Sequence, residues 1–167
     1  PDIILQRLGF APQALLDAYH QAYRKRLKRM HFTEAMLRDD FHLPEIRILT
    51  DNLPLSTTDK TFSVKVSAVD SKYMLDRLNV YINGVPIYGI QGKNLRKQQT
   101  SEYSEKILLA LSNGWNKIRF SVLNQYGAES MSETIEMTYI GTPAQTKLHV
   151  IGIGVSDYID ERLNLDY

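Results

Sequence analysis

The chain has 167 residues, 43% apolar and 23% charged, and its 20 Lys and Arg against 19 Asp and Glu leave a net charge of +1. That balance sets up no whole-chain field for nucleic acid or anionic lipid, and no apolar stretch approaches the roughly 20 residues that span a bilayer. The absence of Cys excludes disulfides, thiolate metal sites and a thiol nucleophile within these residues.

The length allows one or two domains. The absence of Cys fits a reducing compartment such as the cytoplasm, although bacterial exported chains often lack Cys too. There is no signal-peptide pattern, and the lack of an Asn-x-Ser/Thr sequon disfavours a glycosylated surface protein. Without an initiating Met the chain is expected to be processed or cut from a longer polypeptide, and its last residues, which stop inside a motif, favour the cut.

Residues 1–44 read as a helical connector. Pro1–Gly9 forms a short helix with Ile4, Leu5 and Leu8 on one side and Gly9 as its stop. Pro12 opens a longer helix to about Met30, whose apolar stripe is Leu15, Leu16, Tyr19, Tyr23, Leu27 and Met30. Burying six such side chains yields roughly 10 kcal/mol gross, which backbone ordering consumes, so the helix has to dock on something. Thr33 caps a third, shorter helix that ends at Leu43-Pro44.

Arg24, Lys25, Arg26, Lys28 and Arg29 crowd the end of the long helix. They read as a solvated face near the favourable end of the helix dipole, with Arg24, Lys25 and Lys28 as candidates for an acidic partner. No base-stacking aromatics are interleaved with them, which argues against nucleic acid. His31 falls between the second and third helices, so His20, His31 and His42 share no helix face and are expected to be ordinary histidines, leaving no metal site.

Residues 45–141 read as an antiparallel β-sandwich of about seven strands, because short period-two runs recur between turn signals. Ile46 and Ile48 face inward first, and the polar stretch 52–60 turns the chain. Phe62, Val64, Val66 and Ala68 alternate with polar residues, as do Leu78, Val80 and Ile82 before the hairpin signal Asn83-Gly84. Gly89–Thr100 has no pattern and is expected to be a mobile loop, with Lys93, Arg96 and Lys97 as its candidate binding residues. Ile107, Leu109 and Leu111 follow, then Trp115 as the expected seal of one core end. Strand 116–124 carries Ile118, Phe120 and Val122, and the last strand, 130–140, carries Ile135, Met137 and Tyr139.

The arrangement LNVYINGVPI, LSNGWNKIRFSVLNQYGAES and IEMTYIG resembles the immunoglobulin-like modules of bacterial multidomain proteins. Asn83-Gly84, Gly114, Asn116, Ile118, Asn124 and Gly127 carry the match over about 95 residues. The resemblance implies an immunoglobulin-like fold and no particular activity.

Residues 142–167 differ in character. LHVIGIGV (148–155) is a nearly continuous apolar run, as in a strand buried on both faces of a parallel sheet. The segment KLHVIGIGVSDYIDERLNLDY resembles the first strand and loop of caspase-like cysteine peptidases, with Gly152, Gly154, Ser156 and Asp157 matching. In some bacterial proteins that domain follows an immunoglobulin-like module and a WD-repeat propeller, and residues 1–32 resemble the connector between those two. The resemblance implies a peptidase His and Cys beyond Tyr167, and His149 corresponds to neither.

These residues therefore read as non-catalytic, with no cofactor: a linker that spaces a propeller and a caspase-like peptidase domain. The alternative is a ligand-binding or adhesion sandwich using the 89–100 loop. Asp39-Asp40 and Asp157, Asp160, Glu161 sit in polar stretches unlike an enzyme's converging acids. The expected partners are neighbouring domains of the same polypeptide. The 148–155 run is expected to add to the sandwich edge, pack under the helices, or pair with a second copy to give a homodimer.

Overall fold

Every long strand of this protein places apolar side chains at alternate positions, and two sheets meet over that shared face. The computed structural model describes residues 2–9, 11–37, 42–142 and 148–152. Among these, helices α1 (Asp2–Leu8) and α2 (Gln13–Arg29) precede strands β1 (Glu45–Ile48), β2 (Ser56–Thr57), β3 (Thr61–Val69), β4 (Leu75–Ile82), β5 (Val85–Pro86), β6 (Lys93–Asn94), β7 (Glu102–Ala110), β8 (Gly114–Asn124) and β9 (Glu133–Tyr139).

One sheet has the order β1-β3-β7 and is antiparallel throughout. The other runs β2-β9-β8-β4-β5, with β6 also on β4. The chain thus leaves the first sheet after Ile48 and enters the second at β2, which pairs in parallel with β9. The polar stretch 52–60 hides this two-residue strand, which is too short to show a period. Val64, Val66, Ile107 and Leu109 from the first sheet meet Leu78, Val80, Ile118, Phe120, Val122 and Met137 from the second, all nearly solvent-free. Such side chains contribute about 1.5–3 kcal/mol each on burial, which makes this core the main source of stability.

The turns are fastened by asparagines. Asn116 is fully buried; its amide donates to the Ser112 and Gly114 carbonyls at 2.7 and 2.9 Å, and its oxygen accepts from the Ser112 amide at 2.8 Å. Asn83, in the hairpin after β4, accepts from the Lys117 amide at 2.8 Å, which ties neighbouring turns together. Asn124 likewise accepts from the amides of Tyr126 and Ala128.

Several expectations need correction. Trp115 is 57% exposed and does not seal the core: its neighbours Gly114 and Asn116 occupy the inward-facing side of the turn, so the indole points away. The segment 89–100 is built in rather than patternless, because β6 pairs with β4 and Leu95 is completely buried in the core. The third helix is a single 3-10 turn, Glu34–Met36, with no side-chain cap from Thr33. Along the α2 stripe only Leu16 is fully buried, because α2 meets the sandwich at its C-terminal end rather than along its length. Leu148, Val150 and Ile151 are 87%, 78% and 87% exposed and lie in no strand, so this part of the apolar run neither extends the sandwich edge nor packs under the helices. Residues 153–167, where the remainder of the peptidase-like segment falls, lie outside the described residues.

Candidate functional site

The richest polar chemistry lies where α2 ends against the sandwich. The helix stops in a left-handed cap. His31 takes φ 58°, its amide donates to the Lys28 carbonyl at 3.1 Å, and the Phe32 amide donates to the Leu27 carbonyl at 2.9 Å. This is the Schellman pattern, here with His in the position glycine usually fills. It drives Phe32 down onto the sandwich, where the ring is 6% exposed and rests near Gly127 of the β8–β9 turn.

On the sandwich side, β4 carries a bulge. Leu75 pairs with Asn124 and Arg77 with Leu123, so Asp76 is the extra residue. The bulge re-aims Asp76 and breaks the inside-outside alternation, and both Asp76 and Arg77 end up buried. The Asp76 carbonyl accepts from the Leu95 amide at 2.8 Å, which clips the 89–100 segment beside it.

Two arginines share the Asp76 carboxylate. Arg77 Nε donates to Oδ2 at 2.5 Å and Arg96 Nε to Oδ1. Both guanidinium carbons lie 5.0 Å from the Phe32 ring centroid, so the ring is held by two cations. Arg77 also donates through Nη2 to the Met30 carbonyl at 2.6 Å, and the Gln91 side chain donates to the Arg29 carbonyl at 3.3 Å. The negative end of the α2 dipole therefore faces these donors. Removing one partner of a buried ion pair costs about 3–5 kcal/mol, so the cluster acts as a lock between helix and sandwich.

The lock is not fully satisfied. Arg77 Nη1 and Arg96 Nη2 are buried and have no acceptor among the described residues. Each such donor costs roughly 1–3 kcal/mol when left unpaired. Both arginines line a cavity of about 250 Å³ together with His31, Asp76, Gln91, Gly92 and Asn94.

A second anchor lies in the segment just before β1. Asn124 donates to the His42 carbonyl at 2.9 Å and to Asp70 at 3.0 Å, while His42 Nε2 lies 3.2 Å from Asp70. Asp70 also accepts from the amides of Lys72 and Tyr73, which fixes the β3–β4 turn.

The predicted binding residues separate into three fates. Arg24, Lys25 and Lys28 are exposed on α2, and Arg24 Nε sits 3.7 Å from Glu34. Lys97 is exposed on its turn. Lys93 pairs with Glu105 of β7, which also accepts from the Tyr103 hydroxyl at 2.8 Å, so this trio links the two sheets along one edge. Burial alone would lower the Lys93 pKa; its hydrogen bonds with Glu105 and Tyr103 outweigh that and hold it above the ordinary lysine value. Burial, reinforced by Glu105, raises the Tyr88 and Tyr103 hydroxyls. Of the predicted residues only Arg96 belongs to the junction cavity. Asp76, Arg77, Phe32, Gln91 and Asn94 were not singled out. The available signal was the pair Asp76-Arg77 inside a strictly alternating strand, where only one charge can face outward without a bulge. Among the described residues no group of three His, Asp or Glu could hold a metal ion.

No family model matches the chain, and no curated protein matches it. Among solved structures it is similar to fibronectin(III)-like modules of CbhA from Clostridium thermocellum, at 12% identity and a TM-score of 0.45. That match covers 66% of this chain and 54% of the other, about half of its length. The strand order itself, β1-β3-β7 against β2-β9-β8-β4-β5, makes the chain an immunoglobulin-like β-sandwich, antiparallel except where β2 meets β9, with a helical lead-in.

Proposed function

We propose that this protein is a non-catalytic linker and interaction module that fixes the direction in which neighbouring domains of one polypeptide leave a rigid sandwich. One observation carries the reading. The sandwich core is complete, yet the flanks present bare apolar side chains: Ile3, Ile4 and Leu8 at one end, and Leu148, Val150 and Ile151 at the other, are 55–87% exposed. Surface of this kind is where partners pack. The Asp76, Arg77, Arg96 and Phe32 lock and the Asn124, Asp70 and His42 anchor supply the stiffness that a spacer needs. The neighbours proposed are a WD-repeat propeller before the helices and a caspase-like peptidase domain after the sandwich, a parentage supported by the resemblance of residues 147–167 and 1–32. A second copy meeting at 148–155 is the competing partner for that end. Neither nucleic acid nor a membrane has a part in the reading.

Two measurements test it. The coding region beyond Tyr167 should encode a His and later a Cys at strand ends, and a frame lacking both refutes the peptidase parentage. Hydrogen exchange should show residues 3–8 and 148–151 protected when the flanking domains are present. Unchanged exchange there refutes the spacer role, and a concentration-dependent mass of the 167-residue chain would assign 148–155 to a homodimer instead.

A further inference from the structure

The geometry points to the basic face of α2 as a docking surface for a short, carboxylate-rich segment of a partner protein. Arg24, Lys25, Arg26, Lys28 and Arg29 are all exposed. At about 100° per residue, positions 24, 28, 25 and 29 cover an arc of about 140°. The half-buried Tyr23, Leu27 and Met30 lie on the opposite side. Arg24 has one exposed partner, Glu34 at 3.7 Å, and none of the other four meets a carboxylate among the described residues.

The fold has no use for these charges. Cations near the end of a helix ordinarily answer its dipole and its free carbonyls. Here both are already answered. The Arg26, Leu27 and Lys28 carbonyls accept from the amides of Met30, Phe32 and His31. The Arg29 carbonyl accepts from Gln91, and the Met30 carbonyl from Arg77, whose buried guanidinium stands at the negative end of the dipole. What the five cations add is repulsion. Arg24 with Lys28 and Lys25 with Arg29 are four apart, and Lys25 with Lys28 and Arg26 with Arg29 are three apart. A helix face that keeps like charges at contact spacing is arranged for an anionic surface from outside.

The charge of the remaining chain selects the partner. Five of the 20 Lys and Arg lie in this patch, so 15 stand against 19 Asp and Glu elsewhere, and the rest of the chain is net −4. The patch spans only about 8 Å of helix axis. A nucleic-acid duplex or an anionic membrane extends far beyond that and would meet the negative remainder. No aromatic within 24–29 offers a base a stacking surface. A segment that sets about three carboxylates at helical spacing touches the patch alone. The three arginines suit it, because a guanidinium takes a carboxylate through two parallel hydrogen bonds. This surface is separate from the apolar flanks and does not depend on the spacer reading.

The probe is acetyl-hexaglutamate amide, titrated into the ¹⁵N-labelled 167-residue protein at about 50 mM NaCl and followed in a ¹H–¹⁵N spectrum. The backbone amides of 24–30 should shift saturably, and the shifts should vanish by about 0.5 M NaCl as the charges are screened. Lys25→Gln with Lys28→Gln should weaken binding about fivefold, the loss expected for two exposed ion pairs. Lys65→Gln with Lys106→Gln, which removes two exposed charges from facing positions of β3 and β7, should leave binding unchanged. The first pair of substitutions should also leave the α2 amides exchanging no faster than before, because repulsion is relieved. Faster exchange would show that the cations hold the helix end and would overturn the argument. Unmoved amides at 24–30 in the unsubstituted protein, or equal weakening by both pairs of substitutions, would refute the surface. Tighter binding of a short DNA duplex or of phosphatidylserine vesicles at the same ionic strength would refute the partner.

Discussion

Replacing Phe32 with Ala isolates the lock from the core it sits on. The ring is 6% exposed, so its burial contributes about 2–3 kcal/mol. The two guanidinium contacts at 5.0 Å add roughly 0.5–1 kcal/mol each. The sum, about 3–5 kcal/mol, falls in the range for Phe→Ala in packed sites. Phe32 lies outside the two-sheet core, so the loss should appear as local opening of the helix end rather than as global unfolding. At about 1.4 kcal/mol per tenfold, the amides of Met30, His31 and Phe32 should exchange at least about a hundred times faster. Those of Phe120 and Val122 in β8 should keep most of their protection. Native-state hydrogen exchange read by mass spectrometry or NMR measures both regions in one sample. Equal loss across β8 would show that helix and sandwich open as one cooperative unit. No change at residues 30–32 would show that the ring does not anchor the helix. Either result refutes the reasoning.

Other perturbations probe the sandwich itself. Asn116→Ala removes the bonds that fasten the turn before β8 and leaves the Ser112 and Gly114 groups short of partners, so urea unfolding should register a loss of about 2–4 kcal/mol. Gly92→Ala should cost at least about 1–3 kcal/mol in the same assay. Gly92 has φ +65°, and an added Cβ would stand 2.3 Å from Asn79 Oδ1 and 2.8 Å from the Leu78 carbonyl. At alkaline pH the Lys93, Tyr103 and Glu105 edge should weaken. The folded-state values of Lys93 and Tyr103 are raised, so their contribution is intact below about pH 10 and is lost as pH climbs through those higher values. Thermal unfolding between about pH 9 and 12 should show that decline, and Glu105→Gln should flatten it. An unchanged slope would remove Glu105 as its cause.

The chain's own pattern determined where most strands run and which side of each is buried. Alternation in β3, β4, β8 and β9 is a local property, and a residue's face follows from its parity with its neighbours. Asn83-Gly84, Asn116 and Asn124 were equally legible, because their partners lie a few residues away or in the adjoining turn. Tertiary structure decided everything that depends on long-range meeting. Asp76 finds Arg96 across 20 residues, Arg77 finds Met30 across 47, and Asn124 finds His42 across 82. A charge reads the same in sequence whether solvent or an opposing charge surrounds it, so the buried cluster looked like ordinary polar surface. The burial of Leu95 has the same origin, because it sits where alternation is interrupted and only the packing of distant strands fixes which way a side chain turns. The exposure of Trp115 instead follows the parity of β8, in which Asn116, Ile118 and Phe120 face inward.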